Sequence, residues 1–263
     1  MRIHGVGLLV VVIAGCGTDS PPPGEPRSRV DLRAAIPSGA NDVNVIGVAI
    51  TPDGQRFVFD EVRGLYRIEG STATAVVRMA DMPVPNVPIQ LPITDVVAIA
   101  PDVFALTAIG DGFLLDISAM TMTQHFCYVP DGTPENLTQI TQAIAYDPTL
   151  DRIYAQPQTY NGPNLVSAQI AGYVRESGQL IDWHDVDTGI EAGGMAVIPD
   201  IGLVIGQGSR VDRFDAETRR TAPVADLASY DVSWILGLAY DATAGTLLVV
   251  DGNSDELVEI TLD

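Results

Sequence analysis

Apolar and polar residues alternate along most of this chain in short runs, each closed by Pro, Gly, Asp or Asn. That is the pattern of strands with one buried face, and helical spacing of apolar residues is absent throughout. One pattern recurs five times: a small or apolar residue, an apolar residue, an alanine, another apolar residue, then a turn rich in Pro and Asp. The copies are Gly47-Val48-Ala49-Ile50-Thr51-Pro52-Asp53-Gly54, Val96-Val97-Ala98-Ile99-Ala100-Pro101-Asp102, Ala143-Ile144-Ala145-Tyr146-Asp147-Pro148, Gly194-Met195-Ala196-Val197-Ile198-Pro199-Asp200 and Gly237-Leu238-Ala239-Tyr240-Asp241-Ala242. Their alanines lie 49, 47, 51 and 43 residues apart, close to the roughly 40 to 50 residues of a propeller blade.

After each turn comes a second apolar strand, over residues 56–59, 103–106, 152–154, 203–205 and 246–250. A tight polar loop and a third strand follow, over residues 64–68, 112–117, 165–170, 211–214 and 257–262, enriched in β-branched and aromatic residues. A fourth strand then leads toward the next repeat at residues 74–77, 124–129, 179–183 and 222–225. The fifth repeat ends without one, while residues 29–36 look like an orphan strand ahead of the first repeat. Placing that orphan beside residues 257–262 closes a ring and removes an open sheet edge. The expected fold is therefore all-β, a five-bladed β-propeller of four-stranded antiparallel blades, closed by the N-terminal strand completing the last blade. The residues two before each alanine, Gly47, Val96, Ala143, Gly194 and Gly237, suit a crowded inner strand where blades converge on the axis.

These repeats resemble the NHL and gluconolactonase-like (senescence marker protein) propeller superfamily, whose blades read Gly-apolar-Ala-apolar-Asp-Pro-Asp-Gly, then a strand, then Asp-x-x-Asn. The best single match is Leu247-Leu248-Val249-Val250-Asp251-Gly252-Asn253-Ser254-Asp255-Glu256-Leu257-Val258, and the resemblance covers residues 41–263. For the enzymes of that family the resemblance implies a divalent metal at the channel mouth, held by a Glu near the first blade, two Asn and an Asp. This sequence offers no matching set: Asn44-Val45-Ile46-Gly47 stands in place of the Glu-Gly-Pro lead-in, and those enzymes have six blades. Such blades serve enzymes, scaffolds and sensors alike, so the fold by itself does not assign an activity.

The N-terminus departs from the repeat. Arg2 is followed by an apolar run from Val6 to Ala14 interrupted only by Gly7, the pattern of a signal peptide and too short to span a bilayer. Ile13-Ala14-Gly15-Cys16 resembles the bacterial lipobox. The resemblance implies a diacylglycerol on the Cys16 thiol, cleavage just before it and acylation of the new amino group. With roughly 0.8 kcal/mol per buried methylene, two or three such chains hold a protein firmly at a membrane. Gly17-Thr18-Asp19-Ser20-Pro21-Pro22-Pro23-Gly24-Glu25-Pro26 then reads as an extended tether. The expected organisation is a lipoprotein signal peptide at 1–15, the lipidated Cys and Pro-rich tether at 16–28, and the propeller at 29–263. The expected location is the bacterial cell envelope, at the outer membrane or its periplasmic face.

Charge narrows the partners. The 263 residues, 46% of them hydrophobic, carry 34 acidic side chains against 14 basic ones, all Arg, for a net charge of −20. A surface of that sign repels phosphate backbones, so nucleic acid is not an expected partner, whereas divalent cations and cationic ligands are attracted. Cys16 and Cys127 sit in unlike settings and no disulfide is expected; Cys127, in an alternating stretch, is expected to be an inert core residue.

Chemistry-bearing motifs are sparse. There is no Gly-x-Ser-x-Gly, the histidines His4, His125 and His184 are scattered, and clustered His or Cys for zinc is missing. Gly206-Gln207-Gly208 reads as a hairpin turn. Asp251-Gly252-Asn253-Ser254-Asp255-Glu256 has the alternating oxygens that can wrap Ca2+ but departs from an EF-hand at Glu256 and Leu262; a polar hairpin is its other reading. Ligands are expected on the face built by these loops and by the connections into the inner strands. The candidates there are Asp60, Asp95, Asp111, Gln142, Glu191, Asp251 and Asn253, with Asn44, Glu61, Gln156, Gln207 and Trp234 nearby. Converging carboxylates would raise one another's pKa or hold a cation. Two insertions, residues 82–92 with four prolines and residues 156–164, are expected to lengthen loops on that face. The functional expectation is an envelope-anchored platform binding a protein or glycan; the alternative is a metal-dependent hydrolase of lactonase or esterase type using carboxylates around the channel.

Overall fold

The computed structural model describes residues 25–37, 43–83, 92–127, 137–186 and 192–262. Cys16, Glu191 and residues 84–91 lie outside the described residues, as do residues 128 and 129 of one expected strand. The chain begins with β1 (Ser28–Asp31) and α1 (Leu32–Ala35), followed by β2 (Val45–Ile50), β3 (Arg56–Asp60), β4 (Gly64–Glu69) and β5 (Thr72–Arg78). Next come β6 (Ile93–Ala100), β7 (Val103–Ala108), β8 (Asp111–Asp116) and β9 (Thr121–Cys127), then β10 (Leu137–Asp147), β11 (Arg152–Asn161), β12 (Asn164–Val174) and β13 (Leu180–Val186). The last two groups are β14 (Gly194–Ile198), β15 (Gly202–Gln207), β16 (Arg210–Asp215) and β17 (Arg220–Asp226), and β18 (Ile235–Asp241), β19 (Thr246–Asp251) and β20 (Glu256–Thr261).

These strands form five four-stranded antiparallel sheets, four in simple chain order and the fifth in the order β1-β20-β19-β18. The first strands of the sheets, β2, β6, β10, β14 and β18, touch one another in a closed circle. The molecule is thus a five-bladed β-propeller, and β1 completes its last blade through the pairs Ser28 with Glu259, Arg29 with Val258, Val30 with Leu257 and Asp31 with Glu256.

The closing strand is shorter than expected. It stops at Asp31, whose side chain accepts from the Ala34 amide at 3.1 Å and caps α1. Residues 32–36 therefore turn away from the sheet, and Leu32 and Ile36 sink into the seam between the fifth and first blades. An Asp at this point satisfies amides that a helix start leaves open, and that local gain wins over continuing a strand with no further edge partner.

Five apolar clusters hold the ring together, one in each seam between neighbouring blades. Phe57 meets Phe104 edge-to-face at 4.9 Å between the first and second blades, and Phe126 stacks on Tyr173 at 4.4 Å between the second and third. A blade alone would leave both its faces wet, so stability belongs to the assembled ring.

Three expectations need correction. In the second blade the repeat is one residue out of step. Ala49, Ala145, Ala196 and Ala239 pack toward the following blade, but Ala98 packs back on the first blade, and Val97 takes the forward position. An irregularity at Ile99, between the Ala98 and Ala100 pairs, absorbs the extra residue. The residue two before is accordingly Asp95, not Val96. Second, Cys127 is exposed, because β9 alternates and Phe126 takes the inward position. Third, residues 156–164 are largely strand: Tyr160 pairs with Leu165 and Asn161 with Asn164, so the third blade is simply taller.

Candidate functional site

The ring has two mouths. On the upper face the chain enters the inner strands and the second strands turn into the third; on the lower face the inner strands turn into the second. In four inner strands the pairing slips at the same height, between Val45 and Gly47, Ile93 and Asp95, Thr141 and Ile144, and Ile235 and Gly237. A bulge re-aims the extra side chain, and Ile46, Thr94, Gln142 and Leu236, with Gly193 of the fourth blade, line a cavity of about 140 Å³ at the upper mouth, beside Glu61. Gln142 thus stands at the upper mouth.

Of the described carboxylates named from the sequence, only Glu61 lines that cavity. Asp95 is buried at the level where other blades carry Gly or Ala, and a Cβ on Gly47 would lie 2.4 Å from its Oδ1. Its Oδ1 accepts from the Val96 amide at 2.8 Å and its Oδ2 from the Ile144 amide of the third blade at 2.9 Å. Burial pushes its carboxyl well above the usual range, against the two amides. Asp60 accepts from the amides of Asn44, Val62 and Arg63 at 2.9, 3.0 and 2.8 Å and pairs with the Arg63 guanidinium at 3.1 Å. Asp251 does the same work in the fifth blade, taking the Trp234 amide at 2.9 Å and the Ser254 hydroxyl at 2.8 Å. Burial raises the Asp251 carboxyl, but Ser254 and the amides of Trp234, Asn253 and Ser233 outweigh it and hold it below the ordinary value. Asn253 donates to the Ser233 hydroxyl at 2.8 Å, and Glu256 pairs with Arg29 at 2.6 Å, the interactions of a polar hairpin. Asp111 accepts from Gln124 at 2.5 Å, on the neighbouring strand. Gln156 accepts from the Ala192 amide at 3.0 Å, another tie between blades. Among the described residues no group of three or more His, Cys, Asp or Glu is placed to hold a metal ion.

The larger cavity, about 330 Å³, opens on the lower face. Its wall takes Ile50, Ala98, Tyr146, Val197 and Tyr240, one residue from each blade at the same height, above a floor that includes Ala145, Ala196 and Ala239. Asp147 and Asp241 stand at the rim, each accepting through Oδ1 from two amides of its own turn, at 2.8 and 3.0 Å and at 2.9 and 2.9 Å. The Tyr146 hydroxyl donates to Asp151 at 2.8 Å, and burial first, then that carboxylate, pushes its pKa up to about 12. Sequence reasoning placed ligands on the opposite face and missed this cavity. Its signal was the residue following the repeated alanine in four of the five repeats, aromatic in two of them.

No family model matches the chain, and no curated protein matches it. Solved structures do. A glutaminyl cyclase from Myxococcus xanthus aligns with 91% of this chain and 96% of its own at a TM-score of 0.56 and 12% identity. A gluconolactonase from Xanthomonas campestris aligns with 82% of this chain and 71% of its own at 0.52 and 14% identity. The chain spans 26% of the extracellular domain of a hybrid two-component system from B. thetaiotaomicron, covering 82% of itself at 0.43 and 12% identity. At these identities the likeness is one of fold.

Proposed function

We propose that this chain is an exported lipoprotein whose propeller is a binding platform for a protein or glycan, presented on its upper face. The observation that carries this reading is the employment of the upper-face carboxylates: Asp60, Asp95 and Asp251 spend their oxygens on backbone amides and neighbouring side chains, which builds a scaffold. Around them stand exposed Val62, Val166 and Trp234, the last 48% exposed, a surface suited to packing or to stacking on a sugar ring.

The path of the chain supports an orientation. β1 runs upward from the lower face, where the Arg27 amide donates to the Glu259 carbonyl at 2.7 Å and the Arg27 guanidinium to the Ala244 carbonyl at 3.4 Å. A lipid on Cys16 turns that lower face toward the membrane and the upper face away from it. Cys16→Ser is expected to yield protein without acyl groups by mass spectrometry and no longer sedimenting with membranes. Capture from envelope extracts is expected to fall at least several-fold in Trp234→Ala. Turnover of lactone or ester substrates that disappears on chelation and on Asp251→Asn would instead support the hydrolase.

A further inference from the structure

The lower-face cavity is independent of the lipid anchor and of the upper-face platform, and its lining specifies a ligand. We propose that it binds a small organic cation, an ammonium or quaternary ammonium group carried on an apolar body. Three observations lead there. Its volume of about 330 Å³ falls within the roughly 300 to 1,000 Å³ of small-molecule sites. Its lining is mostly apolar or aromatic, with Tyr146 and Tyr240 in the third and fifth blades and only Ala98 standing in the second. Its charge is of one sign: Asp147 and Asp241 line it, and no Arg does.

Each half of that chemistry excludes a class. An anion would meet two carboxylates and no donor of opposite charge. A strongly hydrated inorganic cation would have to give up water for the side chains of Ile50, Met195 and Val197, which carry no oxygen. A weakly hydrated organic cation loses little by entering, meets two tyrosines in the lining and keeps the carboxylates within its field. Asp241 is partly balanced by Arg56 at 3.8 Å, whereas Asp147 makes its hydrogen bonds with the amides of its own turn and, among the described residues, no ion pair, so Asp147 carries most of the attraction.

The test is titration of the full chain with phenyltrimethylammonium and with tert-butylbenzene, its uncharged isostere, followed by calorimetry or ligand-observed NMR. The cation is expected to saturate, binding roughly threefold to thirtyfold more tightly than the isostere. Asp147→Asn keeps the Oδ1 acceptor of the turn and is expected to remove most of that preference, leaving the isostere unaffected. Tyr240→Leu should weaken the cation by a similar factor, with an unchanged circular dichroism spectrum establishing that the ring is intact. No saturable binding of the cation, equal binding of the isostere, or a preference that survives Asp147→Asn and Tyr240→Leu but falls with Glu61→Gln at the upper mouth would overturn the proposal.

Discussion

Glu259 on β20 shows how one side chain can hold the ring shut. It is only 5% exposed, yet its oxygens accept from the Arg56 guanidinium at 2.9 and 3.0 Å, the Ser28 hydroxyl at 2.8 Å and the Thr246 hydroxyl at 3.0 Å. Burial raises its carboxyl, but Arg56 and Ser28 outweigh that and the net shift is downward. A lowered folded pKa contributes stability above the unfolded value of roughly 4.3, and the contribution is lost as pH falls through the folded value. Glu259→Ala is expected to cost about 1 to 3 kcal/mol at neutral pH by leaving Arg56 with the more distant Asp241 and the Ser28 and Thr246 hydroxyls without their acceptor, with the gap to the parent narrowing in acid when urea unfolding is followed from pH 7 to pH 3. Asp95 should show the opposite trend. Its raised folded pKa contributes stability below the unfolded value of roughly 3.9 that disappears as pH rises through the folded one. Asp95→Ala leaves the Ile144 amide without its acceptor, costing about 1 to 3 kcal/mol, and the deficit should be largest in acid. Parallel pH profiles for the two variants would contradict this assignment.

Single elements are governed by backbone positions that admit few side chains. Gly64 opens β4 at φ +105°, and a Cβ there would lie 2.2 Å from the Val77 carbonyl oxygen and 2.7 Å from the Met79 amide. Gly64→Ala is thus expected to cost more than about 3 kcal/mol, since both the conformation and the space refuse it; a midpoint unchanged in thermal unfolding would refute this. Periodicity located the strands well because alternation is a local property, and a residue's position within a run decides which way it faces. Where another local force competes, the pattern misleads. Asp31 begins a capped turn inside what looks like a continuous strand, and the bulge at Ile99 shifts the second repeat by one. Neither leaves a mark in alternation alone.

At the scale of the molecule, closure is the feature on which stability depends. Removing residues 17–26 leaves Arg27 and β1 in place and is expected to leave the unfolding midpoint unchanged. Removing residues 17–38 takes away β1, its pairs with β20, and the Leu32 and Ile36 side chains that fill the seam between the fifth and first blades. That variant is expected to aggregate or to unfold over a broadened transition, because the exposed edge of β20 invites pairing and the seam loses its core. Monomeric, cooperative unfolding of the longer deletion would show that β1 does not carry closure.

The sequence by itself determined the all-β class, the five blades, the order of strands within each blade and the borrowing of an N-terminal strand to finish the last. All of these follow from alternation, turn residues and spacing, which act within one repeat. Only the tertiary structure decided what the polar residues do. Asp95 appears in the chain as a candidate ligand, but its acceptor role is set by the Ile144 amide, 49 residues away. The cavity on the lower face likewise exists only when the lower ends of five inner strands meet around one axis. A site assembled from one residue per blade has no local signature, because each contribution lies about one repeat from the next and the space between them belongs to none.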